Sequence, residues 1–192
     1  MSARHGLLVL AAGGSRRLGQ AKQLLRIDGE TLVHRAARLG LATAPADAVL
    51  VLGARADEVA AAVTGLPLRT VVCPDWTIGL GASLRDGLAA LSPRCDAALV
   101  LLCDQPGLDA AHLHALLAAA AAAPGTAVSS AYAGVLGVPA LLPRTWFAAL
   151  SGLSGDRGAR DLLRERASEV KAVPAPALAQ DVDVPADLPP MG

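Results

Sequence analysis

Residues 10–22 concentrate groups suited to phosphate. The stretch reads Leu10-Ala11-Ala12-Gly13-Gly14-Ser15-Arg16-Arg17-Leu18-Gly19-Gln20-Ala21-Lys22, with three glycines, two arginines and a lysine. Glycine lets backbone N–H groups approach an anion closely. Arg17 and Lys22 bring full positive charge to phosphate oxygens. Of 17 cations only Lys22 and Lys171 are lysines, so a lysine in this loop is not the chain's default choice. Two common nucleotide loops are excluded: no glycine precedes a lysine as in GxxxxGK[ST], and Gly13, Gly14 and Gly19 do not fit GxGxxG. Either the loop cradles phosphate in another manner or it is a long solvated turn. A second chemical group is Asp104, directly after the apolar run 97–102. A carboxylate at such a strand tip suits a hard cation such as Mg2+, which takes one or two protein carboxylates and completes its shell with phosphates and water.

These residues need elements to position them, and the pattern alternates. Apolar runs at 7–10, 48–52, 69–73, 97–102, 126–131 and 170–173 read as strands, most of them buried on both faces. Between them, 31–41, 57–63, 83–91 and 109–123 read as helices, with Asp28-Gly29 a turn, Ser83 and Asp109 N-caps, and Pro124-Gly125 a stop. After residue 131 the rhythm loosens. Gly134, Gly137 and Pro139 interrupt a segment expected to include an antiparallel piece, and 145–150 and 159–167 read as further helices. The tail from Pro174 reads as mostly irregular. Strand–helix alternation predicts a single three-layer α/β, Rossmann-like domain with a mostly parallel sheet. Ligands in such sheets sit at the carboxyl ends of the strands. That rule directs attention to the loop at 10–22, to Gly53 after the second strand, to the segment 74–83 after the third and to 103–106 after the fourth. In 74–83, Gly79 and Gly81 predict a loop tight enough for its backbone to read a base edge, and Ser83 a helix start whose N–H groups face an anion.

Composition narrows the function classes. The 192 residues carry 17 basic and 17 acidic side chains, a balance that argues against a nucleic-acid or membrane-surface binder. Hydrophobic residues make up 53%, which excludes disorder, yet no apolar run approaches the roughly 20 residues that cross a bilayer. Gly6 to Ala12 is too short for a signal peptide core, so a cytoplasmic location is expected. Cys73, Cys95 and Cys103 form neither a disulfide framework nor a zinc pattern. The four histidines define no catalytic arrangement.

Segments along the chain, in order, resemble the MobA-like nucleotidyltransferases, and most nearly the molybdenum cofactor cytidylyltransferase branch. Residues 10–22 resemble L-A-A-G-x-S-x-R-x-G-x-x-K, with Arg16 where a small residue is usual. Residues 74–88 resemble P-x-W-x-x-G-x-x-x-S-L-x-x-G-L. Residues 101–106 resemble L-x-C-D-Q-P. Residues 137–139 and 155–160 resemble G-x-P and G-D-x-G-A-R, and 181–188 resemble D-[IV]-D-T-P-x-D-L, with Val184 in place of threonine.

The resemblance implies a fold of the nucleotide-diphospho-sugar transferase type, with an NTP-binding half over 1–110 and an acceptor-binding half and tail over 111–192. It implies that the first loop (Leu10, Ala11, Ala12, Gly13, Gly14, Ser15) wraps the nucleotide together with Gly53, Gly79, Gly81 and Ser83. Arg17 would hold the triphosphate, Lys22 the α-phosphate side, and Asp104 with Asp183 the Mg2+. The implied reaction joins a nucleoside monophosphate, from CTP, to a phosphorylated small-molecule acceptor, molybdopterin cofactor, with a client molybdoenzyme as a further partner. Asp156 and Arg160 would either orient the acceptor or tie a loop by an ion pair. A guanylyl or adenylyl transferase, a nicotinamide-dependent oxidoreductase on the same fold, and a non-catalytic chaperone are the competing readings.

Overall fold

The apolar runs become the centre of a seven-stranded sheet. The computed structural model describes residues 4–14, 21–153 and 155–179. Its strands are β1 (His5–Ala11), β4 (Asp47–Leu52), β5 (Arg69–Val72), β6 (Ala97–Leu102), β7 (Ala127–Tyr132), β8 (Val135–Pro143) and β9 (Val170–Pro174), with β2 (Arg26–Ile27) and β3 (Glu30–Thr31) forming a separate small hairpin. The sheet order is β5-β4-β1-β6-β8-β7-β9. β1 lies parallel between β4 and β6, with Leu8 opposite Val49 on one side and Val100 on the other. Burial on both faces explains why these strands read as unbroken apolar runs.

Alternation along β1 divides the core in two. Leu7, Val9 and Ala11 join the cluster beneath α1 (Leu32–Leu41), α2 (Ala56–Ala61) and α4 (Ala110–Ala121). Leu8, Leu10 and Ala12 join the cluster beneath α3 (Leu80–Ala90), α5 (Phe147–Ser151) and α6 (Ala159–Glu165). The result is the expected three layers. α1 and α3 each press a glycine on the sheet: a Cβ on Gly40 would lie 2.5 Å from Leu7 Cδ1, and one on Gly87 2.4 Å from Leu8 Cδ1 and 2.8 Å from Val51 Cγ2.

The loosened segment after 131 is one antiparallel strand. β8 inserts between β6 and β7, antiparallel to both. It reaches that place through a tight turn at Ala133-Gly134, both with positive φ (49° and 76°), as two-residue hairpin turns require.

The start of α3 differs from expectation. The helix begins at Leu80 behind Gly79, and Ser83 lies inside it, fully buried, rather than capping it. Tertiary contact adds this extra turn: Gly81 packs on the backbone of Leu153 and Arg157, and Leu80 packs on Gly158. Asp109, by contrast, caps α4 as expected, its carboxylate accepting from the His112 N–H at 2.8 Å.

Replacing Gly87 by Val should separate α3 from the strands at Leu8 and Val51 and cost about 1–3 kcal/mol, the usual range for overpacking. Urea unfolding would measure it, and a loss below about 0.5 kcal/mol would contradict so close a helix–sheet contact.

Candidate active site

The loops after β1, β5 and β6 meet at the carboxyl edge of the sheet around a cleft of about 670 Å3. Lys22 and Asp104 lie together in it. Lys22 opens a short 3-10 turn, Lys22–Leu24, just after the first loop. Asp104 follows β6, which pairs with β1 through Leu10 and Leu102. Their side chains meet with Nζ donating to Oδ2 at 2.9 Å, at 17% and 25% exposure. Asp104 Oδ1 is buried without a hydrogen-bond partner.

Gln23 stands behind the first loop. Its Nε2 donates to Ala11 O at 2.8 Å and to Gly13 O at 2.7 Å. On the other side of the loop, Ala54 N–H donates to Ala12 O at 3.2 Å. Leu10, Ala12, Gly13 and Gly14 face the cleft, whereas Ala11 is buried under it.

Trp76 packs against this loop. A Cβ on Gly14 would lie 2.8 Å from the Trp76 ring, and one on Gly53 would lie 2.7 Å from Trp76 Cγ and 2.5 Å from Ala12 O. Gly14 and Gly53 therefore make room for the indole, which forms one wall of the cleft. Gly79 (φ +133°) lines the same wall, and a Cβ there would lie 2.2 Å from Gly155 O. Gly81 N–H donates to that same carbonyl at 3.2 Å. These two glycines fit the 74–83 segment to the 155–158 loop. Ser83 also borders the cleft, and so does Asp156 from the loop opposite.

The structure thus brings together Leu10, Ala12, Gly13, Gly14, Lys22, Gly79, Ser83 and Asp104, with Ala11, Gly53 and Gly81 supporting them from behind. Ser15, Arg17 and Asp183 lie outside the described residues. Asp156 and Arg160 form no ion pair with each other: the charged partners in this loop are Arg157 with Glu165 and Arg164 with Asp161. Gln23 is a site residue that spacing did not reveal. A side-chain amide directly after the site lysine, in a chain with no asparagine and four glutamines, was the available signal.

Burial pushes the Cys103 thiol well above its ordinary range, and its Sγ lies 3.6 Å from Leu10 O. It is a protonated packing group between β1 and β6. A second cleft, of about 500 Å3, opens near Ala127 and Val170 at the amino ends of β7 and β9, away from these groups. Among the described residues, no three His, Cys, Asp or Glu side chains gather to hold a metal unaided, and no helix is long and apolar enough to cross a membrane. Asp104 brings one carboxylate to the cleft, its Oδ1 buried and without a hydrogen-bond partner among the described residues, and a hard divalent cation that completes its shell with substrate phosphates would need only one or two such groups.

The MobA-like NTP transferase domain matches residues 7–170. The chain belongs to that family. It is 39% identical over 169 residues to a nicotine blue oxidoreductase of Paenarthrobacter nicotinovorans, covering 83% of this chain and 81% of that protein. A probable molybdenum cofactor guanylyltransferase of Synechococcus elongatus is 37% identical over 110 residues, 56% of this chain and 54% of that protein. The crystal structure of Rv0371c from Mycobacterium tuberculosis H37Rv superposes with a TM-score of 0.84 at 30% identity, over 97% of this chain and 96% of that one. A manganese complex of the same protein superposes at 0.75 with 29% identity, over 89% and 88%.

Gly53→Ala should displace the indole of Trp76, because its new methyl would lie within 3 Å of both the ring and the Ala12 carbonyl. Steady-state fluorescence should show a change in the Trp76 contribution, while the buried Trp146 reports the rest of the fold. An unchanged spectrum would contradict this packing.

Proposed function

We propose that this protein is a divalent-cation-dependent nucleotidyltransferase that joins the nucleoside monophosphate of an NTP, CTP in the first instance, to a phosphorylated acceptor, molybdopterin cofactor, with release of pyrophosphate. The observation that carries this reading is the Lys22–Asp104 pair, at 2.9 Å, beside a glycine loop at the carboxyl edge of β1 and β6. A phosphate oxygen of the acceptor would attack the α-phosphorus, forming one P–O bond as the bond to the β-phosphate breaks. Both reactants are anions, so the protein's work is positioning and charge neutralisation rather than proton abstraction.

In this reading the backbone N–H groups of Ala12 and Gly14, together with Arg17, bind the triphosphate and orient its leaving pyrophosphate. Lys22 turns from Asp104 to the α-phosphate, where charge develops. Asp104, with Asp183, would hold the Mg2+, whose charge when bound offsets the repulsion between the two phosphates. Trp76 and the 74–83 segment close the nucleoside side of the cleft, and Asp156 faces the acceptor. The manganese complex of the relative Rv0371c supports a divalent cation in this role. The nicotine blue oxidoreductase relative supports a second reading, hydride transfer from a nicotinamide cofactor on the same scaffold. The absence of GxGxxG from the first loop weighs against it.

Pyrophosphate release from CTP, GTP, ATP and UTP with Mg2+ and molybdopterin cofactor tests the proposal. Lys22→Ala and Asp104→Ala should each lower turnover by about 10²–10³, the scale of losing one electrostatic contact to a transition state. A variant retaining half of wild-type turnover would refute the roles assigned to Lys22 and Asp104, and NADPH oxidation without pyrophosphate release would favour the second reading.

A further inference from the structure

Gln23 is 5% exposed, yet it borders the cleft. The direction of its amide is fixed by its neighbours. Nε2 faces two carbonyl oxygens, Ala11 O at 2.8 Å and Gly13 O at 2.7 Å, and a flipped amide would set oxygen against oxygen at both. Both Nε2 protons are therefore committed to alternate carbonyls of the first loop, and Oε1 is left buried without a partner.

A trans peptide points its N–H opposite to its C=O. Drawing the carbonyls of Ala11 and Gly13 toward Gln23 turns the N–H groups of Ala12 and Gly14 away from it. The Ala54 N–H, at 3.2 Å from Ala12 O, fixes the intervening peptide and so the N–H of Gly13. Ala12, Gly13 and Gly14 all line the cleft, and none of their N–H groups donates to a backbone carbonyl among the described residues. The N–H groups of Ala12 and Gly14 are thus held in one set direction at the ligand edge of the sheet, whereas that of Gly13 points the opposite way.

We infer that Gln23 is a positioning residue: it presets the backbone N–H groups of Ala12 and Gly14 as a cradle for an anionic ligand, and so determines how tightly that ligand binds before any chemistry occurs. The ligand's identity as an NTP rests on the function proposed above, whereas the cradle rests on the Gln23 geometry alone. Preorganisation of this kind lowers the ordering cost of binding. A contact that acts equally on ground and transition states changes KM and leaves kcat alone.

The full chain carrying Gln23→Met keeps the side-chain volume and loses both donors. Three readouts on it and on wild type test the inference. The nucleotide Kd and KM should rise about tenfold or more, as expected for two lost hydrogen bonds, with kcat within about threefold of wild type. The backbone amide chemical shifts of Ala12 and Gly14 should move in the ligand-free variant. The chain has four glutamines and no asparagine, so a side-chain amide spectrum holds only four NH2 pairs, and in wild type the Gln23 pair should be protected from exchange. That last measurement stands even where the variant does not fold. An exposed Gln23 pair, or unchanged loop shifts and unchanged Kd in Gln23→Met, would overturn the inference while leaving nucleotide transfer intact. A fall in kcat at constant KM would overturn it too, by making Gln23 a transition-state contact. If wild type bound no nucleotide while the Gln23 pair was protected and the loop shifts moved in the variant, the cradle would be supported and the nucleotide reading would fail.

Discussion

An ammonium from the turn after the first loop and a carboxylate at the tip of β6, held 2.9 Å apart, are the constraint around which this molecule is organised. Neither side chain is more than a quarter exposed, so burying them together costs less than burying either charge alone. Lys22 and Asp104 are 82 residues apart in sequence and meet only because β1 and β6 are parallel neighbours in the register Leu10–Leu102. That adjacency depends on flat burial of both strand faces, which the glycines at 40 and 87 secure by letting α1 and α3 approach closely.

Around the pair, the site is assembled from contacts that tolerate no side chain. Gly14 and Gly53 admit the Trp76 ring, and Gly79 and Gly81 admit the 153–157 backbone. These last contacts matter beyond packing. They join the loop that closes one end of the cleft to the segment that carries Asp156, so a change at residue 79 or 81 acts on both walls of the cleft.

Much of this was legible in the sequence, for physical reasons that differ by element. The central strands announced themselves because burial on both faces demands unbroken apolar runs; the strand expected at 97–102 is β6 (Ala97–Leu102) itself. Asp109 was legible as a cap because its carboxylate acts locally, on His112 N–H. The start of α3 does not fall at Ser83, where local preference sets it, because the helix owes its first turn to the distant 153–158 backbone. Gly14 and Gly53 drew attention as loop glycines, but their reason, the bulk of Trp76, lies in another segment. Gln23 was invisible to motif spacing, since its two hydrogen bonds reach back 10 and 12 residues to carbonyls that any residue could supply. Its counterpart, Gln105, follows Asp104 as Gln23 follows Lys22, and its Nε2 donates to Val138 O at 2.9 Å and Tyr132 Oη at 3.2 Å. Lys22 and Asp104 are thus each followed by a buried amide that anchors its loop.

Family membership sets the class of chemistry, and the geometry places an ion pair and a glycine loop braced by Gln23 at one cleft. The most direct test is thermal melting of the wild-type chain with CTP, GTP, ATP, UTP, NADH and NADPH, each with and without Mg2+. A ligand at about 100 times its Kd adds roughly 2.7 kcal/mol to stability, a readily visible shift. The account predicts a rise in melting temperature with one nucleoside triphosphate, CTP, that grows when Mg2+ is present. A rise with NADH or NADPH alone, and none with any triphosphate, would contradict it.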